Sequence, residues 1–538
     1  MATSAAVISG GCSAISGGRK PHYNRYDNYM KSPLSKPRKT GKPKASTLEQ
    51  HDKSHDKKGE IPETQVTPDI RLGKKIGPLI GIGIVIGTMM GSGIFITPSF
   101  VLASSGSIGT SLLVWTAAGL ISIIGALCYV ELGTMIVESG GDYAYIHTSF
   151  GPLPAFMYIW VTTMVGAPTM LAIMASAFSN YLLYPFFLGN FGCKPPAESL
   201  YLLSAVVLIL VAFLNIYSVK WVTMAQGVCT TIVVLALLVI IITGAVKIGQ
   251  GNTSSFMTGF QDLQGLQTSP GSVAIAFYGA WFAFGGWSIL NFLIEELQDP
   301  TRDLPLIIIV SLPTVTVINL LVNIAYLAVL EPQEILASNA VAFTFSQKAL
   351  GNASWIMPVA VSISMIGAIN GGFLKGSRTC MVGARKGQFP SILGLIQVQR
   401  KTPTPALLFV LAFALIFMAS NDIRKLINCF SFVTWGFVLT SIIGLLYLRW
   451  KRPELPRPFK VNIVLPIFFS VTCVCLLIFG VIGAPFDALI GLGMTLTALP
   501  VYAVCIYWTS KPVWLGQFHY NITVFFQKLL FVGREETS

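Results

Sequence analysis

The sequence predicts an all-α membrane protein with twelve transmembrane helices, and three observations carry that prediction. The chain of 538 residues is 53% hydrophobic and only 11% charged, where soluble domains carry roughly 25% charged residues. From Pro78 onward, apolar runs long enough to cross a hydrocarbon core of roughly 30 Å recur between short polar breaks. Two of those runs carry glycines at their centres, where a helix is weakened most.

The first 76 residues differ in kind. The stretch KPHYNRYDNYMKSPLSKPRKTGKPK is basic and poor in anything that forms a core, and residues 1–76 hold 15 Lys or Arg against 7 acidic residues. A disordered basic cytoplasmic tail, drawn to anionic lipid rather than to nucleic acid, is expected there. The start, MATSAAVISGG, lacks the basic head and apolar core of a cleavable signal peptide. The membrane domain, 77–509, follows, with spans near 78–103, 109–135, 152–185, 199–217, 222–247, 272–297, 305–330, 353–374, 404–420, 428–449, 460–482 and 486–509. The break around Lys220 is the weakest. A C-terminal tail, 510–538, contains the apolar, aromatic segment VWLGQFHYNITVFFQKLLFV at 513–532. It lies too close to the last span to cross back, so an interfacial helix is expected.

Charge sets the orientation. Lys375, Arg378, Arg385, Lys386, Arg400 and Lys401 crowd one break and RWKRPELPRPFK, from Arg449 to Lys460, another, so both termini are expected to be cytoplasmic. The sequons at Asn252 and Asn352 then face outward as N-glycosylation candidates, whereas Asn521 faces the cytosol. The nine cysteines make no disulfide framework. Only Cys193 falls on the oxidising side, where it is free or bonded to another chain.

The run GIGIVIGTMMGSGIFITPSF places Gly91, Ser92 and Gly93 at mid-membrane. Gly83, Gly87 and Gly91 repeat every four residues and read as a helix-packing stripe. Ser92 and Gly93 carry small residues round to a second face, with Pro98 just beyond, and packing does not account for that. The sixth span repeats the pattern, with Gly285 and Gly286 flanked by Trp281, Phe282, Phe284 and Trp287. Two interrupted spans five apart point to inverted repeats, spans 1–5 and 6–10, with a site between them. Each break frees amide donors that suit a carboxylate and carbonyl acceptors that suit an ammonium. A zwitterionic amino acid presents both.

GTMMGSGIFITPSFVL, GALCYVELGTMI followed by SGGDYAYI, AFYGAWFAFGGWSILNFLIEELQDPTRDLPLIII and GSRTCMVGARKGQFPSIL resemble the L-type amino-acid transporters, from about Leu72 to Tyr507. These are the light chains of heteromeric amino-acid transporters, within the amino acid, polyamine and organocation superfamily. The resemblance implies a LeuT-like fold with 5+5 inverted repeats plus two additional helices, and sodium-independent exchange of amino acids across the plasma membrane. It implies that the backbone of Ser92 and Gly93 takes the substrate carboxylate. The carbonyls of Met89, Phe282, Ala283 and Gly285 take the amino group, and Phe282 forms an aromatic lid.

Four positions depart from the family pattern. Relatives that accept cationic amino acids carry Asp where this chain has Gly285, and a buried cationic side chain without a partner is costly, so neutral, large or aromatic substrates are expected. Ser288 replaces a family Asn at the pocket edge. Val233 stands where the family's fifth span supplies a lysine ammonium in place of sodium, which leaves ion coupling open. Leu183 stands where light chains carry the cysteine that links a heavy chain, so a covalent heavy-chain partner is not expected and a non-covalent one stays open.

The remaining polar groups have plainer readings. Glu131, Glu138 and Asp142 form either an inner gate with basic residues such as Arg378 or Arg385, or solvated loop charges. Glu295 and Glu296 close span 6, and Asp303 lies at the next helix start. His147 lacks metal-ligand spacing and reads as structural. No cofactor and no metal site are expected, and the spans hold too few ionisable residues for a membrane enzyme. A cationic or broader-specificity carrier, and a transport-incompetent amino-acid receptor signalling through its tail, are the alternative functions.

Overall fold

A helix is the one open-chain form that satisfies its backbone inside a bilayer, and the apolar runs fold accordingly. The computed structural model describes residues 76–138, 140–191, 195–257, 259–261, 263, 268–418, 423–508 and 513–533. The tail ahead of Ile76 and Cys193, both subjects of the expectations above, lie outside the described residues.

The first half runs α1 (Pro78–Met89), α2 (Gly93–Ile96), α3 (Pro98–Ser105), α4 (Ile108–Met135), α5 (Asp142–Phe150), α6 (Pro152–Val161), a π-turn (Thr162–Gly166), α7 (Ala167–Phe191), α8 (Ala197–Tyr217) and α9 (Val219–Gly249). After the short α10 (Ser254–Met257) come α11 (Pro270–Ala283), α12 (Ile289–Phe292), α13 (Pro300–Val329), α14 (Pro332–Ala337), α15 (Val341–Leu350), α16 (Ile356–Arg385), α17 (Thr404–Met418) and α18 (Ile423–Lys451). The chain closes with α19 (Val464–Gly483), α20 (Pro485–Leu496), α21 (Ala498–Tyr502) and α22 (Val513–Leu530). Two short strands, β1 (Ile396–Gln397) and β2 (Val532–Gly533), pair antiparallel.

Ten helical stretches among the described residues are long and apolar enough to cross a membrane, which makes this a multi-pass membrane protein. Two expected spans are not among them, for physical reasons. The run at 404–420 is helical over Thr404–Met418 only, and 272–297 is cut in two after Ala283. The weak break near Lys220 is real, because Ser218 leaves the helix in an extended conformation between α8 and α9. The basic cluster divides differently from its expected place in a loop: Lys375, Arg378 and Arg385 lie within α16, which continues a full three turns past residue 374.

Packing puts α16 against α7 and α9, α13 against α4, α9 and α1, and α11 against α3, α4 and α19. The centre is aromatic, with the rings of Trp281 and Trp435 4.8 Å apart and Trp435 in turn 6.1 Å from Phe469. Leu202, Phe213, Ile242, Ile309, Val464 and Phe486 instead point outward, exposed. That outward apolar face is what hydrocarbon solvent permits.

Candidate substrate site

The first interruption begins where the hydrogen-bond ladder of α1 ends. Met90 N–H donates to the Ile86 carbonyl, and the ladder resumes only when Phe95 donates to Ser92 (3.1 Å) and Thr97 to Gly93 (2.9 Å). Among the described backbone hydrogen bonds, none is donated by Gly91, Ser92 or Gly93, as expected of donors that open a helix. Pro98 supplies no N–H, so the half-helix from Gly93 stays locally open. The break is tied to the scaffold by the Ser364 hydroxyl, which donates to the Gly91 carbonyl, and by Tyr181, which donates to the Phe95 carbonyl at 2.7 Å.

The packing-stripe reading of Gly83, Gly87 and Gly91 holds at one position of the three. A Cβ on Gly87 would meet Thr230 Cγ2 at 2.8 Å, whereas Gly83 has open space and Gly91 only ordinary contacts from 3.6 Å.

The second interruption is built the same way from a different start. Ser269 and Ser272 form a reciprocal capping box that fixes the beginning of α11. The helix tightens at its end, with Phe284 donating to Trp281 (3.0 Å) and Gly285 to Phe282 (3.1 Å), and the chain re-enters a turn when Ile289 donates to Gly286 (3.0 Å). Gly286 has φ +110°, and a Cβ there would sit 2.7 Å from Thr88 Cγ2, so this position requires glycine. Gly285 is under no such constraint: its added Cβ would meet only the Phe282 carbonyl oxygen, at 3.1 Å.

The two interruptions touch. A Cβ on Gly93 would fall 2.2 Å from Ala283 Cα, so bare backbone is what lets the broken helices cross there. Their outer ends are also joined, because Ile76 donates to the Glu296 carbonyl (2.9 Å) and Gln298 donates back to Ile76 (3.0 Å).

A cavity of about 280 Å³ lies against both breaks. Of the sequence-predicted residues, Ser92, Phe282, Gly285 and Ser288 line it, and so does Val233. Met89, Gly93 and Ala283 are buried behind that wall, offering backbone rather than side chain. Phe282 packs edge-on against Phe430, 6.2 Å away. The wall also includes residues that the sequence reading left out: the π-turn at Thr162–Gly166, and Ser364 and Lys375 on α16. The π-turn leaves no composition signal. Lys375 carries one, a lysine three turns along an apolar helix from a cavity residue, although hydropathy alone places it in the loop after the span.

The charged groups sort themselves differently from the expected inner gate. Glu131 is fully buried and bound by Arg449, with Nε to Oε1 at 2.8 Å and Nη2 to Oε2, and Val461 N–H adds a bond at 2.9 Å. Glu138 pairs with Lys386 at 2.5 Å. Asp142 takes hydroxyls: Tyr129 and Ser441 (2.8 Å) donate to Oδ1 and Tyr158 (3.4 Å) to Oδ2. Burial pushes the Asp142 carboxyl above the usual carboxylate range, and the three hydroxyls pull partly against that. His147 stacks on Tyr143, its ring centroid 5.9 Å away. Asn252 and Asn352 are exposed, and Leu183 on α7 is half-buried. Asp303 caps inward, its carboxylate accepting from Asp299 N–H at 3.1 Å.

Two interrupted helices that cross and together wall one cavity place this chain among multi-pass membrane proteins with a cavity at the helix breaks. Residues 77–509 match the family described as Amino acid permease. The chain belongs to that family. It is 41% identical over 479 residues to the Mus musculus "Large neutral amino acids transporter small subunit 2", covering 87% of this chain and 89% of that protein. It is 41% identical over 463 residues to the Mus musculus "Asc-type amino acid transporter 1", covering 86% and 87%. It is 40% identical over 467 residues to the Homo sapiens "Cystine/glutamate transporter", covering 87% and 92%. The resemblance to amino-acid transporter light chains is thereby borne out.

Proposed function

We propose that the chain is a plasma-membrane amino-acid carrier that exchanges neutral L-amino acids, large or aromatic ones foremost, without sodium. In this reading 77–509 is the transporter domain, with twelve spans in a LeuT-like arrangement of two inverted repeats plus two helices. Both termini are cytoplasmic, the tails 1–76 and 510–538 flank the domain, and 513–532 lies along the interface.

The observation that carries the reading is the single cavity walled by both interruptions. The N–H groups of Ser92 and Gly93 have no backbone acceptor among the described residues, so an α-carboxylate can take them. The carbonyls of Met89, Phe282, Ala283 and Gly285 face the role of ammonium acceptors. Both sets are shared by every amino acid. The side chain is then judged by what surrounds it, where Phe282 closes over it, Ser288 edges it, and Gly285 brings no charge. A cationic side chain would bury its charge unpaired beside Gly285.

Sodium independence rests on a local substitution of roles. Val233 is buried in the cavity wall, and the Gly91 carbonyl takes a neutral donor, Ser364. A hydroxyl already donates to that carbonyl, which supports a break held at this point without a cation. Leu183 supports operation without a disulfide-linked heavy chain, a non-covalent partner being compatible with it. Asn252 and Asn352 are the proposed glycosylation sites on the outer side.

The test is uptake of labelled leucine, phenylalanine and arginine into proteoliposomes holding this protein alone, with and without internal amino acid, in sodium or choline. Leucine and phenylalanine uptake that requires internal amino acid and ignores sodium is the expected result. Arginine carried as well as leucine would overturn the neutral-cavity reading in favour of a cationic carrier. Binding of leucine without any uptake would favour a receptor.

A further inference from the structure

The cavity wall contains one anion and one cation among the described residues that line it, Asp142 and Lys375. Their positions are unequal. Asp142 is buried and has both oxygens occupied by hydroxyl donors from three other helices, α4, α6 and α18. Lys375 is exposed to the cavity space. No ion pair within 4 Å joins the two among the described residues; they attract each other at longer range, and the close contact of the Lys375 ammonium is with the face of the Phe292 ring, 4.7 Å from its centroid. A cation over an aromatic face at an exposed site gains only about 0.5–1 kcal/mol, less than a carboxylate offers. Of the other basic groups, Lys386 is paired with Glu138 and Arg449 with Glu131, and Arg378, one turn further along α16, does not line the cavity. Both Asp142 oxygens are thus held by hydroxyls, whereas the Lys375 ammonium, though attracted by Asp142 from a distance, has no hydrogen-bond acceptor among the described residues and keeps its donors for a bound anion.

Depth fixes what that charge can do. Lys375 lies three turns beyond Ser364 on the same helix, about 16 Å along its axis, and Ser364 touches the Gly91 carbonyl at the first break. An amino acid seated at the breaks is too short to reach Lys375 as well. The ammonium acts on a substrate in transit between the breaks and the end of α16.

We propose that Lys375 forms an anion-docking site in this part of the cavity, between the breaks and the Arg385 end of α16, which receives the carboxylate of an arriving amino acid and grades substrates by net charge: acidic first, zwitterionic next, cationic last. This rests on the amino-acid carrier reading above, and extends its substrate class to acidic amino acids of the glutamate type. With both termini cytoplasmic, the grading applies to substrate coming from the cytosol. Because the interaction is between a mobile ion and an exposed ammonium, it is screened by salt.

The test loads oocytes expressing the full chain with labelled leucine, glutamate or arginine and measures efflux into external leucine. Wild type should release glutamate at lower internal concentration than arginine. Lys375→Met should reduce the glutamate-to-arginine preference about tenfold, each efflux being corrected for surface protein and leucine efflux serving only to show that the variant transports; Lys375→Arg should retain the preference. An unchanged preference in Lys375→Met with intact leucine efflux overturns the docking site and leaves the carrier reading standing. No leucine efflux from wild type overturns the carrier reading and this inference with it. Should Lys375→Met not reach the surface, wild-type protein in proteoliposomes decides: preference that narrows as salt rises supports the site, and preference indifferent to salt overturns it.

Discussion

Glu131 and Asp142 are two buried carboxylates a short loop apart, and the protein treats them in opposite ways. Glu131 sits against a guanidinium, receives a backbone N–H besides, and has no access to the cavity wall. Asp142 sits on that wall, held by hydroxyls whose protons can rearrange. A carboxylate locked by a full counter-charge stabilises one packing of α4 against α18. One held by neutral donors keeps its grip while the groups around it change partners, which suits a wall that must open and close.

The largest effect expected from that contrast is on stability. Glu131→Gln leaves the Arg449 guanidinium buried without its counter-charge, so unfolding in detergent should become easier by about 3–5 kcal/mol, read as a lowered melting temperature. If melting is unchanged, the pair is not what holds α4 to α18. Asp142→Asn replaces one acceptor oxygen by an amide donor, so at least one of the three hydroxyls loses its acceptor, at a cost of about 0.5–1.5 kcal/mol. Here we expect transport to fall at least about tenfold while the melting temperature shifts less than in Glu131→Gln. Equal losses of stability in both variants would erase the distinction.

Gly285→Asp adds a third carboxylate, this time with no donor waiting for it. The position has room for a Cβ apart from the Phe282 carbonyl at 3.1 Å. Arginine uptake should rise and leucine uptake fall, changing their ratio about tenfold, because the unpartnered charge seeks a cationic ligand. Uptake that still excludes arginine would show that the cavity rejects cations by shape.

The smallest effect is on pH dependence. Burial raises the folded-state value of Asp142 above the ordinary 3.8, so the fold binds this proton more tightly than the unfolded chain does. Its contribution to stability is present below the ordinary value and is lost as pH rises through the raised one. The melting temperature of wild type should therefore decline across that acid window relative to Asp142→Asn, and parallel curves would count against it.

The legible parts of the fold were those governed by long-range hydropathy: the order of the apolar runs, the weak boundary at Ser218, and both glycine interruptions. At the site, the breaks at Ser92 and Gly285 are legible because backbone breakage has a composition signature, small residues where lipid-facing ones belong, whereas the places of Phe282 and Ser288 follow only from the family resemblance. What stayed hidden was partner choice. Glu131 meets a guanidinium 318 positions away, and no local pattern favours Arg449 over Arg378. Lys375 was misplaced for a related reason, since a single lysine looks like the end of a span whether or not the helix continues past it.

The π-turn at Thr162–Gly166 inserts an extra residue into one long helix, and each extra residue turns the remainder by about 100°. Below it, Tyr158 is aimed at Asp142; above it, Ser179 meets Ser204 at 2.7 Å and Tyr181 reaches the carbonyl beside the first break. The two ends of this rod are thus clocked independently, each to its own neighbours. Deleting a single residue from the bulge would force one shared phase on both, and whichever set of contacts survived, the other would be rotated out of reach.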